Sequence, residues 1–425
     1  MSGKSGFSKV SVVGLGYVGL PTAATIATRG VPVVGVDIDP EAVRTINSGT
    51  SHIAETDLDV ILRAAVGTGK LRAVTEPEPA DAFVIAVPTP IRADRSSDLS
   101  AVEAAVRSIA PVVAKGNLII LESTSPVGTT ERMTQLLSEL RTDLTFPLAA
   151  PNASDVMVAY CPERILPGQT LRELVDNSRT IGGLDDRSAE RTLEFYSIFC
   201  RGEMIVMSSR AAELVKLAEN AFRDVNIAFA NELSMLCADW GIDVHEVIAA
   251  ANRHPRVDIL QPGPGVGGHC IPVDPWFIVE AMPDKARLIR TAREVNDRKT
   301  SFVFEQIRHR ADRFKRPAIA FLGLTYKPDV DDLRESPAVA IVERARKARL
   351  GELMVVEPHI QVLPRPLSEA GDVRLAGLEE ALRRADIVAL LVAHRAFRRV
   401  PVQALAEKVV IDTVGLWRGA GQTVR

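Results

Sequence analysis

The chain has 425 residues, 46% of them hydrophobic and 25% charged, with a formal net charge of −3. That length calls for two or three domains with ample core, and the near-neutral balance argues against a protein that coats nucleic-acid phosphates. The four cysteines, at 161, 200, 237 and 270, form no CxxC and no zinc-spaced set with histidine, so neither a disulfide framework nor a metal centre is expected and a reducing cytoplasm fits.

In chain order, Val10 to Val13 reads as a buried strand, followed by Gly14-Leu15-Gly16-Tyr17-Val18-Gly19 and a helical pattern from about Leu20 to Arg29. A second apolar strand, Val33 to Val36, ends at Asp37. This is G-x-G-x-x-G in its required context: strand before, helix after, an acid about 20 residues on. The glycines allow a tight turn and let a pyrophosphate reach a helix N-terminus, whose N–H groups and dipole favour anions. Asp37 would accept hydrogen bonds from a ribose 2′-hydroxyl and repel a 2′-phosphate, so the expected cofactor is NAD.

The alternation continues with strand Ala82 to Val87, running into Pro88-Thr89-Pro90, a helix from about Ser100 to Val113, and strand Leu118 to Leu121. The last runs into Glu122-Ser123-Thr124-Ser125-Pro126-Val127-Gly128-Thr129-Thr130. Ligands bind at the C-terminal ends of strands in doubly wound sheets, which makes Thr89 and Thr124 candidate contacts. Thr129 or Thr130 is expected to cap the next helix. In Cys161-Pro162-Glu163-Arg164-Ile165-Leu166-Pro167-Gly168, two prolines stiffen a segment whose Glu163 is either a base or a solvated loop charge. A single helix is expected from Ala211 to Trp240, stopped at Gly241. On it Lys216, Asn220 and Arg223 share one face, and Lys216 lies among Leu214, Val215, Leu217 and Ala218, an apolar setting typical of lysines used in chemistry.

The stretch Gly263-Pro264-Gly265-Val266-Gly267-Gly268-His269-Cys270 lacks side chains over much of its length, so a bulky ligand could approach its backbone. It delivers one thiol, with Asp274 four residues later. Helix is expected from there to about Arg313, and a second α/β unit begins at Pro317, with strands Ala318 to Leu322, Leu353 to Val356, Ile387 to Val392 and Val409 to Asp412. The first of these runs into Gly323-Leu324-Thr325-Tyr326-Lys327-Pro328, and Ser336-Pro337 reads as an N-cap with proline at the first helical position. No stretch is long and apolar enough to span a bilayer.

Together, GLGYVGLP, ESTSPVGTT, CPERILPG, Lys216 with Asn220, GPGVGGHC with Asp274, and GLTYKPDVDDLRESP resemble the UDP-glucose/GDP-mannose dehydrogenases, with all motifs in family order over nearly the whole chain. The resemblance implies an enzyme that uses two NAD⁺ to oxidise C6 of a nucleotide sugar from alcohol to acid. It implies a Rossmann-like NAD domain (1–203), a central helical domain carrying the dimer contact and the cysteine loop (204–312), and a Rossmann-like UDP-binding domain (313–425). Cys270 would be the nucleophile, adding to the aldehyde to give a thiohemiacetal and then a thioester. Lys216 and Asn220 would serve proton transfer and the oxyanion, while Thr124, Glu163 and Asp274 would position water for thioester hydrolysis. Of the other thiols, Cys161 lies in a motif but is the weaker candidate, and Cys200 and Cys237 are expected to be packed.

Arg164 after the Pro-Glu pair, and Asn252-Arg253-His254-Pro255-Arg256 ahead of the cysteine loop, resemble the branch that acts on UDP-N-acetylmannosamine. By that resemblance Glu163, Arg164, Ile165, Lys216, Asn220, Arg223, His254, Gly267, Tyr326 and Lys327 contact the UDP-sugar, Arg256 reaches in from a second subunit, and Arg334 meets NAD. A diphosphate suits fixed guanidinium groups. UDP-N-acetylglucosamine and UDP-glucose remain alternative substrates. A single-hydride β-hydroxyacid-type dehydrogenase would need neither the thiol loop nor the second α/β unit, and a non-catalytic NAD-binding protein would bind cofactor without turnover.

Overall fold

The computed structural model describes residues 6–417, apart from 54, 56, 166, 167 and 370. Leu166 and Pro167, the second of the two prolines expected to stiffen the Glu163 segment, lie outside the described residues. The chain divides into two compact units, one comprising Met1–Glu219 with Trp276–Ala281, the other Asn220–Pro275 with Met282–Arg425.

The first unit is built on eight strands: β1 (Val10–Val13), β2 (Val33–Val36), β3 (Leu71–Val74), β4 (Ala82–Ile85), β5 (Leu118–Leu121), β6 (Met157–Tyr160), β7 (Arg179–Gly183) and β8 (Met204–Ser208). They form one sheet of order β3-β2-β1-β4-β5-β6-β7-β8, parallel except where β7 meets β6. Side chains alternate between the two faces of a strand. Val10 and Val12, Ala82 and Val84, and Leu118 and Ile120 therefore enter one core. Val13, Phe83, Ile85, Ile119 and Leu121 enter the core on the opposite face. Burial on both faces explains why these strands read as continuous apolar runs. Strand β3 alternates instead and is not evident in the sequence, nor are β6, β7 and β8, although β6 and β8 are also largely apolar.

The second unit contains a parallel sheet of β9 (Ala318–Leu322), β10 (Glu352–Val356), β11 (Val373–Leu375), β12 (Ile387–Leu390) and β13 (Val409–Asp412), in order β11-β10-β9-β12-β13. It too separates two cores: Ile319 and Phe321 face one, Ala320 and Leu322 the other. Both sheets are Rossmann-like, with the strand order 3-2-1-4-5 in common. Between them in sequence runs the expected long helix, Ser209–Trp240, ended by Gly241 at φ +69°. The helix expected from the cysteine loop to Arg313 is instead two, Asp274–Ala281 and Arg287–Ala311. Met282-Pro283 follows the first, and proline disfavours helical geometry in the residue before it. Ser336 caps its helix as expected, accepting from the Ala338 N–H, with Pro337 at the first position. No helix among the described residues is long and apolar enough to cross a membrane.

Candidate active site

The glycines of the first turn divide the work. Gly14 has φ +91°, and a Cβ there would lie 2.5 Å from the Ala86 carbonyl oxygen. A Cβ on Gly19 would fall 1.8 Å from the Gly14 oxygen, so this glycine seats the helix against the turn. Gly16 would meet nothing within 4 Å, which leaves open space where a pyrophosphate needs the backbone. The helix Gly19–Thr28 has no side-chain cap and no acid in its first turn, so no side chain of its own offsets the positive end that follows Tyr17 and Val18. Asp37, partly exposed at the end of β2, accepts from the Leu15 N–H at 2.9 Å and from the Asp39 N–H at 3.0 Å. These residues fit a dinucleotide.

At the ends of β4 and β5, the Thr89 hydroxyl donates to the Thr124 carbonyl at 2.6 Å, so the two candidates share one edge of the sheet. The following helix is not capped by Thr129 or Thr130. Gly128 stands at the cap, and the Thr129 hydroxyl turns back to the Pro126 carbonyl. The buried Glu213 carboxylate does the capping, accepting from the N–H groups of Gly128 (2.6 Å) and Thr130 (2.8 Å) and from the Thr130 hydroxyl. A carboxylate outcompetes a hydroxyl for helix N–H groups because the bonds are charge-assisted. Burial comes first among its influences and pushes the Glu213 pKa up despite these donors. The signal for it was an acid inside the apolar run Ala211-Ala212-Glu213-Leu214-Val215.

Glu163 is no solvated loop charge. It is buried, and Lys216 donates to its carboxylate at 2.9 Å and to its carbonyl at 2.8 Å, while the Ile165 N–H donates to the other carboxylate oxygen at 3.0 Å. Arg164, beside it, reaches Glu219 and the Ser178 hydroxyl. Behind this segment a fully buried Glu122 pairs with Arg179 at 3.2 Å, and Arg179 lies over the Tyr196 ring. Cys161 shares that pocket of charge, and burial pushes its thiol up to about 11. A thiol that stays protonated and fully buried cannot serve as a nucleophile at neutral pH. Cys200 and Cys237 are buried as expected, and Cys270 alone of the four is exposed.

In the second unit, the cysteine loop packs against the chain's own segment 326–337. A Cβ on Gly267 would lie 2.6 Å from the Glu335 carbonyl oxygen, and one on Gly268, at φ +89°, 2.9 Å from the Tyr326 ring. The Gly268 N–H donates to the Arg334 carbonyl at 3.1 Å. The spaces a side chain would take at Gly265, Gly267 and Gly268 are therefore filled by the protein itself. Asp274, buried at the start of its helix, bonds back to the Cys270 carbonyl through its N–H at 2.8 Å. Its carboxylate accepts from the Asn220 amide at 2.6 Å. Burial, and then Arg334, lower the pKa of His269, the residue before Cys270. Arg334 forks onto Asp332, and the Lys327 ammonium stands 5.7 Å from the Tyr326 ring. Arg223 is exposed on the long helix, and His254 and Arg256 are exposed in the turn after helix Val244–Ala251.

A dinucleotide turn, a second Rossmann-like sheet and an exposed loop thiol fit the class of NAD-dependent dehydrogenases. The NAD-binding domain of the UDP-glucose/GDP-mannose dehydrogenase family matches residues 8–200, its central domain 210–298 and its UDP-binding domain 320–419. The chain belongs to this family of NAD-dependent nucleotide-sugar dehydrogenases. It is 58% identical to an NDP-N-acetyl-D-galactosaminuronic acid dehydrogenase of Ralstonia nicotianae, over 97% of this chain and 96% of the other. It is 54% identical to the UDP-N-acetyl-D-mannosamine dehydrogenase of Escherichia coli, over 97% and 100%. Among solved structures, a UDP-N-acetyl-mannosamine dehydrogenase from S. aureus superposes with a TM-score of 0.87 at 39% identity, covering 98% of this chain and 97% of that one.

Proposed function

We propose that the enzyme oxidises UDP-N-acetyl-D-mannosamine at C6 to UDP-N-acetyl-D-mannosaminuronate, in two steps on one active site in the cytoplasm. The carrying observation is the exposed Cys270, the one accessible thiol of the four, on a loop braced from both ends. NAD⁺ would supply the oxidant when bound, two molecules being used in turn and each taking one hydride in one of the two steps. Between them the Cys270 thiolate adds to the aldehyde carbon, giving a thiohemiacetal whose oxidation leaves a thioester. Lys216 moves the hydroxyl proton and, with Asn220, stabilises the oxyanion. Thr124, Glu163 and Asp274 position the water that releases the acid. Gly14, Gly16, Tyr17, Val18, Gly19, Asp37, Thr89 and Arg334 hold NAD, and the sugar nucleotide is held by Arg164, Ile165, Arg223, His254, Gly267, Tyr326 and Lys327. We read 1–203, 204–312 and 313–425 as the three working segments.

The mannosamine assignment rests on Arg164 and the 252–256 turn and is supported by relatives named for that substrate. The 58% relative named for an N-acetylgalactosaminuronic acid supports a second reading, a galacto-configured N-acetylhexosamine. NADH formed per sugar consumed separates them, with UDP-linked N-acetylmannosamine, N-acetylgalactosamine, N-acetylglucosamine and glucose in parallel. Two NADH with the mannosamine sugar alone supports both mechanism and substrate. Two with another sugar keeps the mechanism and moves the substrate, and one removes the covalent role of Cys270.

The working form is proposed to be a homodimer, to which Arg256 of the second copy contributes. On the long helix Phe222, Phe229, Leu236 and Trp240 are 72%, 56%, 43% and 66% exposed and fall on one face. Such a stripe of large apolar side chains marks a surface meant to be covered.

A further inference from the structure

The turn after β9 repeats, residue for residue, the hydrogen bonding of the dinucleotide turn after β1. Gly14 donates to the Val36 carbonyl at 2.8 Å and Leu15 to the Asp37 carboxylate at 2.9 Å. Gly323 donates to the Val356 carbonyl at 2.9 Å and Leu324 to the Glu357 carboxylate at 2.7 Å. Gly323 has φ +90°, as Gly14 has +91°. The two acids differ in what surrounds them. Asp37 is partly exposed, whereas Glu357 is 5% exposed and fully committed. One of its oxygens takes the N–H groups of Leu324 and Thr325 and lies 3.0 Å from His394 Nε2, and the other takes the His359 N–H at 3.0 Å.

His394, with no exposed surface, completes a chain. The Asp329 backbone N–H lies 3.0 Å from its Nδ1 and can only donate, so Nδ1 accepts and the ring proton sits on Nε2, toward Glu357. The Thr325 hydroxyl donates to the Lys327 carbonyl at 2.9 Å and closes the turn. Arg395 fixes the far end, its N–H and Nε both donating to the Asp329 carboxylate. Asp329, His359 and His394 also bring ligand atoms within 4.8 Å of one another, but the Nδ1 lone pair that would complete a metal set is held by the Asp329 N–H.

We propose that Glu357 and His394 are positioning residues for the nucleotide sugar: the acid that would meet a ribose in a dinucleotide domain is turned inward, and with His394 it locks residues 323–329 so that Tyr326 and Lys327 face the substrate diphosphate. The proposal rests on the reading of Lys327 as a substrate contact. A preformed turn lowers the ordering cost of binding and so acts on affinity for the nucleotide. Buried charge-assisted bonds suit that task, because any slack in them exposes an unpaired group.

The test uses the full-length enzyme with UDP as probe and compares Glu357→Gln, His394→Asn and Lys327→Ala. His394→Asn keeps an acceptor for the Asp329 N–H and loses the donor to Glu357, so it reads the chain if Glu357→Gln does not fold. The expected result is a UDP Kd and a sugar KM raised about tenfold in both, the equivalent of about 1.4 kcal/mol. NAD affinity should stay within about twofold and kcat at saturating sugar within about threefold, and the double variant should be little worse than either alone. Unchanged UDP affinity in folded variants would overturn the proposal. So would parallel losses of UDP affinity, NAD affinity and kcat, which mark general damage. If Lys327→Ala leaves UDP affinity intact, the underlying substrate reading falls, and the positioning role with it.

Discussion

Lys216 donates to Glu163 twice, at 2.9 Å to the carboxylate and 2.8 Å to the carbonyl, with both residues buried. The double contact ties the side chain of the long helix to the backbone of the Cys161–Ile165 segment. Removing the cation alone strands a buried carboxylate, whereas removing the carboxylate charge leaves a hydrogen-bonding amide. Lys216→Met is therefore expected to cost about 3 kcal/mol of stability, and Glu163→Gln much less. Turnover should fall by at least about a hundredfold in each. Thermal melts and steady-state NADH formation check this, and equal melting of the two variants would contradict it.

The four thiols should behave as one reactive and three inert groups. Cys270 is exposed, while Cys161, Cys200 and Cys237 are buried. Burial also holds Cys161 up at about 11, so at pH 8 almost none of it is thiolate. Iodoacetamide at pH 8 should add one equivalent per chain, on the peptide containing Cys270, and activity should fall in step with labelling. Cys270→Ala should lose about three orders of magnitude or more in kcat with an unchanged melting temperature. Labelling at Cys161 in the folded enzyme would contradict the assignment.

Much of the architecture was legible because parallel strands buried on both faces announce themselves as apolar runs. Thus β1, β2, β4, β5, β9, β10, β12 and β13 could all be placed from the sequence. Strand β3 alternates, with Arg72 exposed between buried Leu71 and Ala73, so it did not carry that signal, whereas β8 carries the apolar run Met204 to Met207 and yet is largely exposed. The site was legible where glycine or cysteine forced a local geometry. It was not legible where a long side chain reaches across the fold: Glu213 lies 83 residues from the Thr130 N–H it accepts, and His394 lies 37 from Glu357. The glycines of the cysteine loop were legible as permissive positions, but not the packing of Glu335 and Tyr326, about 60 residues further along the chain, beside Gly267 and Gly268.

The apolar stripe on the long helix makes assembly testable. Phe229 is 56% exposed in the single chain, midway between Phe222 and Leu236 at seven-residue spacing. Two copies packed along this helix would bury it, and a charge there would be left without a partner. Sedimentation should give a dimer for the native chain and a monomer for Phe229→Asp. The monomer should also turn over poorly if, as proposed, Arg256 of one copy completes the site of the other. A dimer that survives Phe229→Asp would place the interface elsewhere.

Lys299 gives the pH dependence of stability a defined sign. It is buried on helix Arg287–Ala311, its ammonium donates to the Ser234 hydroxyl, and desolvation lowers its pKa to about 8 from 10.5. Below about pH 8 both folded and unfolded chains hold the proton, and the folded state bears the full cost of burying the charge. Between about 8 and 10.5 the unfolded chain binds more protons than the folded one, so stability rises with pH through that window. The whole effect amounts to about 3 kcal/mol. Lys299→Met removes the charge while keeping the length of the side chain, and should stabilise the protein near pH 7 and flatten the rise above pH 8. Denaturant melts of both proteins from pH 6.5 to 10.5 measure it. A native stability that falls across this interval, beyond the fall seen in the Met variant, would show that the folded state gains from the charge rather than bearing its cost.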